Sequence, residues 1–374
     1  MDVVQGLRFR LQYVSGGCQE PVRSRTTILI DHADSDEPSR QKTEIKNYSN
    51  NDCCHHRFKM SPMIYLAPLQ GITDRIYRNL FSSYFRGVDA AVAPFISPTK
   101  KMKSDNVQLR ELDPHRNTGI PVIPQIMASD PDDFTALANV LYDRGYGTVN
   151  WNIGCPFRMV VKKGRGAGML CHPDRIESFL EKTMPVLKPK LSIKLRTGLK
   201  CSDEALRVIP LFNRFDLDEL IIHPRTALQM YEGDVDLDMF ERCLHLSKHG
   251  VVYNGDIYTI KDFNTLSARF PQIKSWMIGR GLIGNPFLAE KIKFNTEKTP
   301  HEKIKIIRDF HDHLFAEYLK ILSGPAHITN KMKEIWAYMA CFFENAEKIR
   351  KKINKTHHRD TYIDVVNKVF DELI

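Results

Sequence analysis

The sequence predicts an α/β fold: a closed (β/α)8 barrel of the TIM type with a C-terminal helical domain and a poorly ordered N-terminal extension. Three observations predict it. From Met63 onward, short β-rich runs alternate with helical stretches through eight units over about 220 residues, whereas an open doubly wound sheet usually has fewer. Polar residues gather at the carboxyl ends of those runs, the ends that a barrel brings to one face. After Phe287 the apolar spacing becomes helical.

Residues 1–60 precede this rhythm. Asp31-His32-Ala33-Asp34-Ser35-Asp36-Glu37-Pro38-Ser39 and Asn47-Tyr48-Ser49-Asn50-Asn51-Asp52 are polar and turn-rich, so a loosely ordered extension is expected. No signal or transit peptide pattern is present in it. Cys53-Cys54-His55-His56 offers ligand side chains, but four consecutive residues can hardly converge on one ion and no second cluster matches them, so no metal is expected.

The expected barrel domain covers 61–297. Its strands are expected at Ile64 to Leu69, Ala90 to Phe95, Val122 to Met127, Thr148 to Gly154, Leu191 to Arg196, Glu219 to Arg225, Val251 to Ile257 and Ser275 to Gly281. Helices are expected at Asp132 to Arg144, opened by Ser129-Asp130-Pro131, and at Pro173 to Pro185, whose Asp174 and Glu177 suit a helix N-terminus. A helical domain at 298–374 follows, with helical spacing at 301–322, 328–352 and 359–373 broken by Gly324-Pro325 and by the basic run Lys348 to Arg359.

Composition narrows the function. The 374 residues include no apolar stretch near the roughly 20 residues needed to span a bilayer. Eight scattered cysteines in a chain of this size read as reduced thiols, which places the protein in the cytoplasm. A formal charge of +9 suits a polyanionic partner.

The most informative stretch is 148–170. Its β-forming run stops at Gly154-Cys155-Pro156, because proline cannot continue a ladder, and the next loop carries Lys162, Lys163 and Arg165 among glycines. A thiol is thus delivered to a basic rim. Other strand ends carry Pro68, Leu69 and Gln70; Gln125; Asn152; Lys194 and Arg196; His223 and Arg225; Asn254, Gly255 and Asp256; and Gly279, Arg280 and Gly281. Together they form a convergent site in a barrel.

These residues stand within motifs that resemble the tRNA-dihydrouridine synthase family: Ala67-Pro68-Leu69-Gln70-Gly71-Ile72-Thr73-Asp74, Pro124-Gln125-Ile126, Asn152-Ile153-Gly154-Cys155-Pro156, Gly166-Ala167-Gly168-Met169-Leu170, Lys194-Leu195-Arg196-Thr197-Gly198, His223-Pro224-Arg225-Thr226, Asn254-Gly255-Asp256 and Ile278-Gly279-Arg280-Gly281. The resemblance runs from Met63 to the C-terminus. It implies FMN across the barrel mouth, with Pro68, Leu69, Gln70 and Gln125 against the ring, Lys194 near its N1 and O2, and His223 on the ring or ribityl chain. Asn254, Gly255, Asp256, Gly279 and Arg280 are implied at the phosphate.

Cys155 is implied as the proton donor to C5 of a tRNA uridine, Asn152 and Arg225 as uracil contacts, and Lys162, Lys163 and Arg165 as a loop closing over the flipped base. NADPH, or NADH, would reload the flavin at the same face. Lys331, Lys333 and Tyr338 resemble the helical tRNA-binding segment of that family, where arginine more often takes the first of these positions. Trp336 reads equally well as core. Gln70 stands where related proteins often carry an acidic residue. The expected partner is tRNA, with neither metal nor membrane, and the expected state is a monomer. The competing readings are an FMN barrel of the dihydroorotate dehydrogenase type, which has no need of a basic tail, and a non-catalytic tRNA-binding barrel.

Overall fold

A computed structural model describes residues 61–98 and 107–372. The expectations for 1–60, including Cys53 to His56, lie outside the described residues.

Nine parallel strands form the sheet: β1 (Met63–Leu66), β2 (Ala90–Val92), β3 (Val122–Ile123), β4 (Gln125–Ile126), β5 (Thr148–Ile153), β6 (Lys190–Gly198), β7 (Glu219–Thr226), β8 (Gly250–Asn254) and β9 (Ser275–Ile278). Their order is β3-β2-β1-β9-β8-β7-β6-β5-β4. The two ends of that order are joined through Pro124 alone, so the sheet closes as a barrel. The extra strand is the expected third strand cut in two where proline offers no N–H to the ladder. Backbone bonds bridge the cut, with Ile96 N donating to Gln125 O at 2.9 Å and Met127 N to Ile96 O at 2.9 Å.

Several strands end earlier than their apolar runs suggest. Pro68 stops β1, Pro94 stops β2, and β8 and β9 end at Asn254 and Ile278. The polar residues of those segments therefore sit in the loops just beyond the strands. Helix Pro131–Asp143 opens where expected, its N-cap Asp130 accepting from Asp133 N at 2.9 Å. Large apolar side chains, among them Trp151 and Phe179 stacked at 3.9 Å between ring centroids, pack the helices onto the barrel.

The tail begins with Pro300–Leu319, whose Thr299 and Glu302 form a capping box. Helices Pro325–Met339, Ala346–Asn354 and Arg359–Asp371 follow. The run at 328–352 is thus two helices, interrupted after Met339. Trp336 is core: its indole donates to Tyr362 Oη at 2.9 Å, and His311 Nε2 lies 2.6 Å from the same oxygen. No helix among the described residues is long and apolar enough to cross a membrane.

One carboxylate ties the tail to the barrel. Asp74 caps helix Arg75–Tyr84 by accepting from Tyr77 N at 3.0 Å, and it accepts from Tyr318 Oη at 2.8 Å and Lys331 Nζ at 2.5 Å. Lys331 Nζ also donates to Gly71 O at 2.6 Å. Asp74→Ala removes a cap and strands two polar groups, so it is expected to cost about 2–4 kcal/mol in urea unfolding. A loss below about 0.5 kcal/mol, the scale of an ordinary surface change, would show that the seam is held elsewhere.

Candidate active site

The strand tips surround a cavity of about 280 Å³. Pro68, Leu69 and Gln70 reach it from the loop after β1, Gln125 from β4, and Asn152 and Cys155 from β5 and its end. β6 supplies Lys194 and Arg196, and β7 supplies His223. Asn254, Gly255 and Asp256 enter from the end of β8, Gly279 and Arg280 from beyond β9, and Tyr338 from the tail.

The other candidates do not line it. Arg225 is buried behind the wall, donating to Asp256 Oδ2 and Gly233 O, each at 2.5 Å. Lys162 and Lys163 are exposed and Arg165 is half-buried on the loop after Cys155. Lys331 is held at the seam, and Lys333 donates to Thr356 O, so both ammonium groups already have partners inside the chain.

A buried chain of amides fixes the thiol. Asn150 Nδ2 donates to Ser192 Oγ at 2.9 Å, Gln125 Nε2 to Asn150 Oδ1 at 2.8 Å, and Asn152 Nδ2 to Gln125 Oε1 at 2.7 Å. Asn152 Oδ1 then accepts from Gly154 N at 3.1 Å and Cys155 N at 2.9 Å. Both ends of the Asn152 amide are therefore in use, and its first task in the chain is to set the turn that presents Cys155. Gln125 is likewise engaged at both ends of its amide.

From the far side, Ala167 N donates to Cys155 O at 3.0 Å. Gly166 (φ 55°) allows this approach, since a Cβ there would stand 2.7 Å from Cys155 O. Burial raises the Cys155 pKa above its ordinary value against the pull of Arg196 and Lys194, so the sulfur carries its proton at neutral pH.

The floor is cationic. Lys194, Arg196 and Arg280 line the cavity against one carboxylate, Asp256. Asp256 is already bound to Arg225 and, through Oδ1, to Arg280 Nη2 at 2.8 Å. Burial and the neighbouring Arg196 press the Lys194 pKa down to about 7. Burial also lowers Arg196 to about 10, and it drives His223, with help from Arg196 and Lys194, well below the usual imidazole range. His223 is therefore neutral at pH 7. So many cations facing so little negative charge suit an anionic ligand.

Backbone strain gathers at the same place. Met230 (φ 52°) and Asp256 (φ 27°) line the cavity in a conformation that side chains rarely adopt. The loops after β8 and β9 are also pressed together, because a Cβ on Gly281 would meet Ile257 O at 1.9 Å.

Sequence reading missed the aromatic and apolar part of the wall. Tyr231 lies 4.4 Å from the Arg280 guanidinium and 5.4 Å from that of Arg196, and Tyr258 lies 5.4 Å from Arg280. Phe157 stands at the mouth beyond Cys155. These residues occupy loops, where no periodicity marks them.

Comparison with known proteins agrees with the motifs. The family model described as dihydrouridine synthase (Dus) matches residues 65–373. tRNA-dihydrouridine synthase B of Pasteurella multocida is 28% identical over 258 residues, spanning 67% of this chain and 76% of that protein. The synthase B of Vibrio cholerae is 25% identical over 329 residues, 84% of this chain and 98% of that protein. tRNA-dihydrouridine(16) synthase of Ralstonia nicotianae is 25% identical over 244 residues, 63% and 74% of the two chains. Among solved structures, morphinone reductase in complex with tetrahydroNAD superposes on 63% of this chain and 88% of its own at a TM-score of 0.46 and 11% identity. With the family model matching from the first strand to the last helix, the chain belongs to the dihydrouridine synthase family.

Proposed function

We propose that this enzyme reduces the C5=C6 bond of a D-arm uridine in tRNA, using FMN that NADPH or NADH reloads. One observation carries the reading: a protonated thiol, fixed by buried amides, shares a cavity with a floor whose three cations outnumber its one carboxylate.

The floor fits FMN. The phosphate side falls to Arg280 and the loops at Asn254 to Asp256 and Gly279, where the chain concentrates its guanidinium and its close backbone packing. Lys194 suits the pyrimidine edge of the ring, and Pro68 and Leu69 supply a flat apolar wall. When bound, the flavin supplies hydride at its N5.

The chain's own groups supply the rest. Cys155 Sγ holds the proton destined for C5, and its raised pKa keeps that proton in place until a base is delivered. Neutral His223 can hydrogen-bond without adding charge to an already cationic floor. Arg225 acts one layer back, where with Asp256 it sets the position of Arg280. The exposed Lys162 and Lys163 and the half-buried Arg165, on the loop that follows Cys155, would close over the delivered base. With Lys331 and Lys333 bonded internally, Lys348, Lys351 and Lys355, exposed on the tail, are available to meet phosphates.

The direct experiment incubates the yellow purified protein with NADPH and tRNA lacking dihydrouridine, with dihydroorotate in a parallel reaction. Dihydrouridine in the tRNA and no turnover of dihydroorotate is the expected outcome. Turnover of the free pyrimidine alone would instead support the dehydrogenase reading.

The depressed Lys194 pKa gives a second test. A bound acceptor edge favours the ammonium form, so binding takes up a proton above pH 7 and the contribution of Lys194 shrinks as pH rises through its own pKa of about 7. Fluorescence titrations of FMN are expected to show Lys194→Met binding about 10-fold more weakly near pH 6, with the gap to wild type narrowing by pH 9. A gap that is constant across this range would mean that Lys194 stays charged throughout and that its burial is not felt.

A further inference from the structure

Two apolar lips stand over the cationic floor. Phe157, 66% exposed and two residues beyond Cys155, lines the cavity with the thiol. The turn after β7 forms the other lip, with Tyr231, 49% exposed, lining the cavity beside the strained Met230, 40% exposed. β6 runs between the parent strands β5 and β7 and sets Arg196 between the lips.

Packing does not explain these side chains. Hiding a phenylalanine is worth roughly 1.5–3 kcal/mol, and nothing among the described residues collects that gain at Phe157. The backbone also holds Phe157 out. Its carbonyl accepts from Val160 N at 2.8 Å and Val161 N at 3.0 Å to open the short helix Arg158–Val161, while Ala167 N clamps Cys155 O on the other side. The mouth therefore leaves a large apolar group exposed at a fixed position beside its thiol.

We infer that the lips take the nucleotides flanking the target uridine, with Phe157 stacking on an unpaired base next to the one delivered to Cys155 and Met230 and Tyr231 bounding the opposite side. This inference rests on the reading of the enzyme as a tRNA uridine reductase. A nucleobase fits because its flat face is apolar while its phosphates need cations, and Lys162 and Lys163 stand exposed on the same loop as Phe157. Aromatic groups interleaved with cations are what unstacked nucleic acid requires. The bound flavin is accounted for by the floor, so the lips remain for the substrate.

The test compares holoenzymes carrying Phe157→Ala and Phe157→Tyr with wild type. Measured are FMN content, the rate of flavin reduction by NADPH without tRNA, the KM for NADPH, and kcat and KM for tRNA across a salt series. Losing one stack is expected to raise the KM for tRNA about 5- to 150-fold in Phe157→Ala. Phe157→Tyr is expected to stay near wild type, and FMN content and flavin reduction to be unchanged in both. The slope of log KM against log salt is expected to stay the same, since no phosphate contact is lost. An unchanged KM for tRNA in Phe157→Ala, or a Phe157→Tyr variant as impaired as the alanine, would overturn the inference. A rise in the KM for NADPH alone would also overturn it, by giving the lip to the dinucleotide. A wild-type protein whose flavin NADPH reduces but which leaves tRNA untouched would instead overturn the reading beneath it.

Discussion

The site depends on an imbalance of charge. Lys194, Arg196 and Arg280 face one cavity, and the single carboxylate among its lining residues, Asp256, is shared with Arg225 behind the wall. Gathering cations in a partly dry space is costly, as the depressed pKa values of Lys194 and Arg196 record. A chain tolerates that cost where a ligand of opposite charge relieves it. Binding and folding would be coupled at this point: the barrel brings the cations together, and an anion attracted to them would stabilise the barrel mouth.

The Cys155 thiol stands beside this floor, and among the described residues no titrating relay links its hydrogen-bond network to it. The series from Ser192 through Asn150, Gln125 and Asn152 to the Cys155 backbone contains only neutral groups, and each is spoken for. Such a network gives geometry and no charge. It holds the thiol at the rim while burial keeps it protonated, even though the nearby ammonium and guanidinium favour the thiolate. A charged partner in place of Asn152 would fix the turn as well but would move the sulfur's pKa.

The barrel was legible in the sequence because parallel strands buried on both faces read as short apolar runs, and because Gln125, Lys194, His223 and Arg280 fall at or just beyond the ends of those runs. Strand lengths were less legible. Pro68, Pro94 and Pro124 each end a ladder inside a run whose apolar pattern continues past it. In the tail, partners inside the chain left no sign in the sequence. Lys331 and Lys333 have the composition of a phosphate grip, yet the fold turns both inward, one onto Asp74 and the other onto Thr356 O. Partnerships across more than 250 residues of sequence, such as Asp74 with Lys331, leave no local trace. The roles of Tyr231 and Phe157 were hidden for a related reason, since an aromatic residue in a loop gives no periodicity from which to infer its surroundings.

The central claim is that Cys155 hands its proton to the base while the cationic floor holds the cofactor, so the two functions are separable. It is tested most directly by mixing NADPH-reduced holoenzyme with tRNA in a stopped-flow instrument without oxygen and following flavin reoxidation in wild type and Cys155→Ala. The account predicts that the variant binds FMN and is reduced by NADPH normally, but reoxidises with tRNA at least about 100-fold more slowly, the scale of a lost general acid. Reoxidation at the wild-type rate would contradict it, because the proton would then come from another group.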